Sequence, residues 1–260
     1  MRILITGVAG FIGSNLCDRL LAAGHEVVGV DNLSTGRRRF LESALKSDRF
    51  RFFENDLYDF KALSEPMLGK DIDLVFHLAA NADVRDGLKQ PRRDLEQNTV
   101  VTWNVLENAR LAGVRRIAFS STGSIYGEPT VFPTPEICPF PVQTSLYGAS
   151  KLAGEGLISA YALGYGIQAT IFRFVSILGE RYTHGHVFDF VKKLKQDPSR
   201  LQVLGNGFQK KSYLYVQDCV DAMIHATQRK MESPVEIYNL GTDEYTEVNE
   251  SIRTISGIMG

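Results

Sequence analysis

Thr6-Gly7-Val8-Ala9-Gly10-Phe11-Ile12-Gly13-Ser14 is the stretch whose reading decides the fold. It follows a strand-like run, Arg2 to Thr6, and opens a stretch from Phe11 to Ala23 whose apolar residues recur at helical spacing. Glycines at 7, 10 and 13 remove the side chains that would hold a ligand off the backbone, so a pyrophosphate can meet the free amides of a helix N-terminus. With two residues between each pair of glycines, the spacing differs from the G-x-G-x-x-G form. A second strand, Glu26 to Asp31, ends on a carboxylate 18 residues after Gly13. There it accepts hydrogen bonds from adenosine ribose hydroxyls and repels a 2′-phosphate, which favours NAD over NADP. Read alone, these features also describe a tight turn with Asp31 as a helix cap; their joint placement favours the dinucleotide. Arg37-Arg38-Arg39 reads as a solvated helix face.

Outward from this turn the pattern repeats. Arg51 to Glu54, Asp73 to His77, Arg115 to Ser121 and Gln168 to Phe174 read as further strands. Pro91 to Leu111, with Leu95, Thr102, Val105, Leu106 and Ala109 on one face, and Ser145 to Leu163 read as helices. Strands alternating with helices predict an α/β fold, a doubly wound parallel sheet with right-handed crossovers. Nearly all-apolar strands predict a sheet covered on both faces. From Glu180 to Tyr215 the pattern shortens and Gly179, Gly185, Gly205 and Gly207 interrupt it, which predicts a small lobe. Glu236 to Leu240 then reads as a strand and Asn249 to Ile258 as a helix. The expected division is a Rossmann domain over 1–175 and a substrate-binding lobe over 176–260, interleaved with the sheet and truncated at its C-terminus.

The chain has 260 residues, 44% hydrophobic and 23% charged, with a net charge of −1. That balance excludes a partner held by a bulk basic field, so no nucleic acid and no anionic membrane is expected. Cys17, Cys138 and Cys219 lie far apart without zinc or redox spacing; they read as reduced thiols, and no metal site is expected. No run of 18 apolar residues and no secretory h-region occurs, so the expectation is a cytoplasmic protein. The Pro-rich stretch from Pro129 to Pro141 reads as a loop in which Cys138 packs.

Tyr147 and Lys151 are four apart on a predicted helix and share a face. A cation beside a phenol stabilises the phenolate, lowering its pKa from about 10 and making it a usable acid/base. Ser120-Ser121-Thr122 ends a predicted strand, where open α/β sheets place ligands, and a hydroxyl there can relay a proton to Tyr147.

Together with these residues, Asp31-Asn32-Leu33-Ser34-Thr35-Gly36, Asp56-Leu57, His77-Leu78-Ala79-Ala80, Tyr126-Gly127 and Tyr147-Gly148-Ala149-Ser150-Lys151 complete a set. The set resembles the extended short-chain dehydrogenase/reductases, and within them the NAD-dependent nucleotide-sugar epimerase/dehydratase group, over nearly the whole chain. The resemblance implies a Rossmann fold and bound NAD. It implies cofactor contacts from Gly7, Gly10, Phe11, Ile12 and Gly13, and from Asp31, Asn32, Ser34, Thr35 and Gly36. Asp56 and Leu57 would flank the adenine, Leu78, Ala79 and Ala80 would line the cofactor, Asn98 would sit near the ribose, and Tyr147 and Lys151 would close the nicotinamide end. Thr122, Tyr147 and Lys151 would form the catalytic triad. Implied substrate contacts are Asn81, Thr122, Gly123, Ser124, Tyr147, Ser176, Arg181, His186, Val187 and Lys211. Group members commonly dimerise through a four-helix bundle, here Pro91 to Leu111 and Ser145 to Leu163.

Within the group, enzymes that eliminate water or carbon dioxide carry a carboxylate next to the Thr122 position; here Gly123 and Ser124 follow. A site without that extra acid/base still oxidises and re-reduces, so the expected activity is epimerisation, at carbon 4 of a UDP-hexose or UDP-uronic acid, through a 4-keto intermediate. The alternatives are a net-redox reductase or dehydratase, and a non-enzymatic NAD(P)-binding sensor. Ser176 stands where the group usually has asparagine, and Lys211 where an arginine often grips diphosphate, as a point charge without a bidentate fork. Arg181 reads either as a contact to the hexose or as a salt-bridged structural residue.

Overall fold

The computed structural model describes residues 1–82, 87–140, 142–203 and 205–259; Pro141 and Gly260, which end the predicted loop and lobe, lie outside them. The central sheet contains β1 (Arg2–Thr6), β2 (Glu26–Asp31), β3 (Phe50–Glu54), β4 (Leu74–His77), β5 (Arg116–Thr122), β6 (Gln168–Phe174) and β10 (Val235–Leu240). Its order is β10-β6-β5-β4-β1-β2-β3, and every neighbouring pair is parallel. This is the doubly wound Rossmann arrangement that the alternating pattern predicts.

The apolar run of β1 shows why both faces are covered. Ile3 and Ile5 point to one side, into a core built with Leu16, Cys17 and Leu20 of α1 (Phe11–Ala22) and Val216, Cys219 and Met223 of α7 (Val216–Gln228). Leu4 points to the other side and packs with Val105 and Leu106 of α4 (Val101–Leu111) and Ile158 and Ala162 of α5 (Leu146–Tyr165). Burying each such side chain stabilises the fold by about 1.5–3 kcal/mol, so the alternation along a strand fixes which helix covers which face.

The stretch predicted as one helix from Pro91 to Leu111 is three consecutive segments: a turn of α-helix, α3 (Pro91–Asp94), a π-helical stretch over Leu95–Val100, and α4. The wider π turn carries Asn98. Besides the short α2 (Ser64–Met67), the chain adds α6 (His186–Gln196) inside the stretch that reads as irregular, and α8 (Val248–Met259) near the end. Phe190 and Leu194 of α6 and Val248 and Ile255 of α8 form a third, separate core, with Val187 packed against it. Two small sheets complete this region: β7 (Ser176–Leu178) pairs with β9 (Tyr213–Tyr215) in parallel, and β8 (Lys210–Lys211) with β11 (Thr246–Glu247) antiparallel. α7 and β10, although late in the chain, belong to the central layer. None of the described helices is long and apolar enough to cross a membrane.

The turn between β1 and α1 touches the end of β4. Gly7 has φ +71°, and a Cβ there would lie 2.8 Å from the Ala79 nitrogen. Gly7→Ala therefore combines left-handed strain with a backbone collision, and a melting temperature several degrees lower is expected. Gly156→Ala, in α5 where a Cβ meets nothing within 4 Å, is the contrasting variant and should stabilise by about 0.5–1 kcal/mol. Thermal melts of both variants check the close approach; an unchanged Gly7→Ala would contradict it.

Candidate active site

Strand order reverses between β1 and β4, with β2 on one flank and β5 on the other, and a cleft of about 1810 Å³ opens at the carboxyl ends of the strands. Gly7, Gly10, Phe11, Ile12 and Gly13 line its inner wall. A Cβ on Gly10 would come within 3.1 Å of the Gly7 carbonyl, and one on Gly13 would collide with it, so the turn stays tight only with glycine. Asp31 Oδ2 accepts from Ala9 N at 2.9 Å and Oδ1 from Leu33 N at 2.8 Å. Burial raises the Asp31 pKa while the Leu33 and Ala9 amides act against that rise. Asp31 thus caps the turn and also lines the cleft. Gly36 lies close enough that a Cβ would sit 2.8 Å from Asp31 Oδ1. Asn32, Ser34, Thr35, Gly36, Asp56 and Leu57 line the same end.

Leu78, Ala79, Ala80 and Asn81 continue the wall from the end of β4. Behind them runs a buried chain of hydrogen bonds. Thr6 Oγ1 accepts from Leu78 N and Ala79 N at 3.2 Å each, which directs its own proton to His77 Nδ1 at 2.8 Å. His77 Nε2 then donates to Thr102 Oγ1 at 3.0 Å, and Thr102 donates to the Asn98 carbonyl at 2.5 Å. Full burial pushes His77 down to about 3, so it is a neutral linker. Asn98 belongs to this network and does not line the cleft. Its side chain accepts from Asn81 N at 2.8 Å and donates to Ser150 Oγ at 2.9 Å. The expected ribose contact is therefore corrected: a buried amide on the π-helical turn positions Asn81 and Ser150, which in turn donates to the Tyr147 carbonyl at 2.8 Å.

Thr122, Tyr147 and Lys151 all line the cleft. Ser145 caps α5, accepting from Gly148 N at 2.9 Å, and so fixes the first turn, which carries Tyr147. Thr122 caps the turn Gly123–Tyr126, accepting from Ser124 N at 3.1 Å and donating to Ser124 Oγ at 3.2 Å, and it is hydrogen-bonded to the Tyr147 hydroxyl. The charge states differ from the expected pairing. Burial pushes Tyr147 up to about 12, against the Thr122 hydrogen bond, and Lys151 down to about 7. Lys151 Nζ rests on Ser120 Oγ at 3.5 Å and over the Phe119 ring at 4.5 Å. Burial is the largest cause of both shifts and disfavours the charged form of each group in the protein alone.

At the far end Ser176, His186 and Lys211 line the cleft, as do Gly123 and Ser124 nearer the triad. His186 Nε2 accepts from Tyr213 Oη at 2.6 Å; burial and Lys211 push His186 down to about 4, which keeps it neutral. Two expected substrate contacts lie elsewhere. Arg181 pairs with Asp18 of α1 at 2.5 Å, which makes it the structural arginine of the two readings. Val187 turns into the third core, because it follows the apolar stripe of α6.

Cleft residues that the sequence reading omits include Arg37 and Phe40 near Asp31, Pro129 and Phe132 to Glu136 of the Pro-rich loop, Arg173, and Gly241 to Tyr245. Arg173 donates to Glu155 at 2.8 and 3.1 Å, to Tyr126 Oη at 2.6 Å and to the Glu136 carbonyl at 2.8 Å, tying that loop to α5. Its signal was an arginine placed inside an apolar strand. Among the described residues no group of three or more His, Cys, Asp or Glu could hold a metal.

Comparison with known proteins agrees with this geometry. The chain is 37% identical to a UDP-glucose 4-epimerase of Mycolicibacterium smegmatis, over 100% of this chain and 83% of the relative. It is 32% identical to UDP-glucuronic acid decarboxylase 1 of Xenopus tropicalis, over 100% of this chain and 60% of the relative. A crystal structure of UDP-glucose 4-epimerase with UDP-glucose from Thermotoga maritima superposes with TM-score 0.91 at 33% identity, covering 100% of this chain and 83% of that one. UDP-glucuronic acid 4-epimerase from Bacillus cereus, in complex with UDP-glucuronic acid and NAD, superposes with TM-score 0.87 at 31% identity and the same coverage. The profile of the NAD dependent epimerase/dehydratase family matches residues 3–241, and the chain belongs to that family.

Proposed function

We propose that this chain is an NAD-dependent epimerase acting at carbon 4 of a UDP-hexose or UDP-uronic acid. The observation that carries the reading is the convergence of Thr122, Tyr147 and Lys151 on a cleft that also contains the glycine turn and Asp31. The glycine cradle, which a Cβ would fill, and the Asp31 carboxylate fit a dinucleotide. Gly7 to Gly13 would receive its pyrophosphate, Asp31 to Gly36 its adenosine ribose, Asp56 and Leu57 its adenine, and Lys151 its nicotinamide ribose. When bound, NAD would supply the site with a group able to accept the carbon-4 hydride and to give it back.

The residues of the chain handle the proton and the orientation. Tyr147, as phenolate, takes the proton of the carbon-4 hydroxyl while carbon 4 gives up its hydride, leaving a 4-keto sugar; the reverse transfer completes inversion. Thr122 shares its hydroxyl with the sugar oxygen and Tyr147, and Gly123 and Ser124 beside it bring no ionised group that could divert the ketone to elimination. Asn81, Ser176, His186 and Lys211 would hold the nucleotide diphosphate sugar, with the lobe within 176–260 supplying the last three. The Lys151 ammonium has to favour the Tyr147 phenolate against burial. A homodimer through a four-helix bundle is part of the proposal: Trp103 and Leu111 of α4 and Leu163 and Tyr165 of α5 are exposed. Sedimentation at twice 29.0 kDa is the expected result.

Two experiments test the assignments. Tyr147→Phe should lower UDP-glucose to UDP-galactose conversion by more than about 1000-fold while mass spectrometry of the denatured variant still finds NAD. Retained turnover, or NADP or no nucleotide released from the wild type, would contradict the reading. Lys151→Met tests the buried charge. Lys151 lies near 7 when folded against 10.5 ordinarily, so the unfolded chain binds one proton more between those values and wild-type stability rises with pH across that window. The nucleotide-free variant, inactive, should therefore melt several degrees above wild type near pH 6.5, and the gap should close towards pH 10. Equal melting at both pH values would show that the ammonium carries no burial cost.

A further inference from the structure

Lys151 is 2% exposed, and among the described residues its ammonium has no ion pair. Holding a buried ammonium charged is costly, so its surroundings matter; the carboxylate that acts on it is Glu155, at a distance and without an ion pair. One turn on along α5, Glu155 is engaged by Arg173 of β6 and by the Ser121 hydroxyl. From β4, His77 presents a neutral ring. Asp94 of α3 accepts from Asn81 Nδ2 at 2.7 Å and acts on Tyr147, the remaining titratable group on the same face of α5. Two contacts remain for Lys151 Nζ: Ser120 Oγ at 3.5 Å, itself donating to the His77 carbonyl at 3.2 Å, and the face of the Phe119 ring at 4.5 Å from its centroid.

The ring is held where it lies. Phe119 is fully buried on β5, and the His77 ring packs 5.6 Å away at 34°. On the helix side Gly154 makes room for it, since a Cβ at 154 would come within 2.8 Å of Phe119 Cζ. We propose that Phe119 is a positioning residue for the reaction: its π face is the partner that holds the buried Lys151 ammonium in the cleft. This rests on the catalytic reading of Lys151 given above. Such contacts are strongest when desolvated, and an aliphatic residue of similar volume offers none of the ring's negative potential. Gly154 is then explained as the space that lets α5 bring Lys151 down onto the ring.

The test replaces Phe119 in the full chain with 4-fluoro-, 3,5-difluoro- and 3,4,5-trifluorophenylalanine, which keep the shape and drain the ring face stepwise. A weaker partner lets Lys151 lose its proton at lower pH. The alkaline limb of the kcat profile should therefore move to lower pH with each fluorine, by about one unit across the series, with KM for UDP-glucose unchanged. Phe119→Leu should move it at least as far and lower kcat at pH 8 about tenfold. A limb that stays in place along the fluorine series would overturn the proposal and leave Phe119 as packing. Lys151→Met separates this from the parent reading: if that variant turns over, the role of Lys151 itself fails; if it is inactive while the series is flat, only the role of Phe119 fails.

Discussion

The close approach of the β1–α1 turn to the end of β4 is the constraint on which the rest of the molecule depends. The Gly7 backbone lies against Ala79, and Thr6 Oγ1 accepts from the amides of Leu78 and Ala79 while donating a hydrogen bond to His77. From His77 the chain continues to Thr102 and the Asn98 carbonyl on the π-helical turn, so both crossovers flanking the switch point are held to one pair of strands. Thr6, His77, Thr102 and Asn98 in that chain are buried and hydrogen-bonded, which in a low dielectric favours one arrangement over its near alternatives. The cleft is the space this pinned junction leaves open on its outer side.

Charge burial is the second theme. Lys151 sits in the cleft floor without an ion pair among the described residues, whereas Arg173 and Glu155, almost equally buried, satisfy each other and recruit Tyr126, Ser121 and the Glu136 carbonyl. The two arrangements serve different ends. The Arg173–Glu155 pair fastens the Pro-rich wall of the cleft to α5, and removing either partner would strand a buried charge. Lys151 is the exception that chemistry needs, because an ammonium already neutralised by a carboxylate would do little for a neighbouring phenolate.

Much of this was legible in the sequence because it is local. The nearly all-apolar run of β1 announces a strand covered on both faces, glycines at 7, 10 and 13 announce the turn, and Tyr147 and Lys151 need only helical geometry to share a face. What escaped depends on partners far along the chain. Arg181 sits in a stretch that faces the cleft, yet its partner Asp18 lies 163 residues earlier. Asn98 reads as a polar residue on a helix, and its roles come from Asn81 and Ser150, 17 and 52 residues away. Val187 lies on the apolar stripe of α6, a helix that the glycine-interrupted sequence around it conceals. The phenol was expected to be lowered by Lys151, but the depth of the floor, which no spacing reveals, reverses the balance in the protein alone.

The central claim is that one cleft oxidises carbon 4 and then reduces it again without releasing anything. Proton NMR of UDP-glucose turned over in deuterium oxide tests it most directly. The account predicts UDP-galactose that retains hydrogen at carbon 4, with no dinucleotide added to the reaction. Deuterium at carbon 4, a product other than the epimer, or turnover only on addition of a reduced dinucleotide would contradict it.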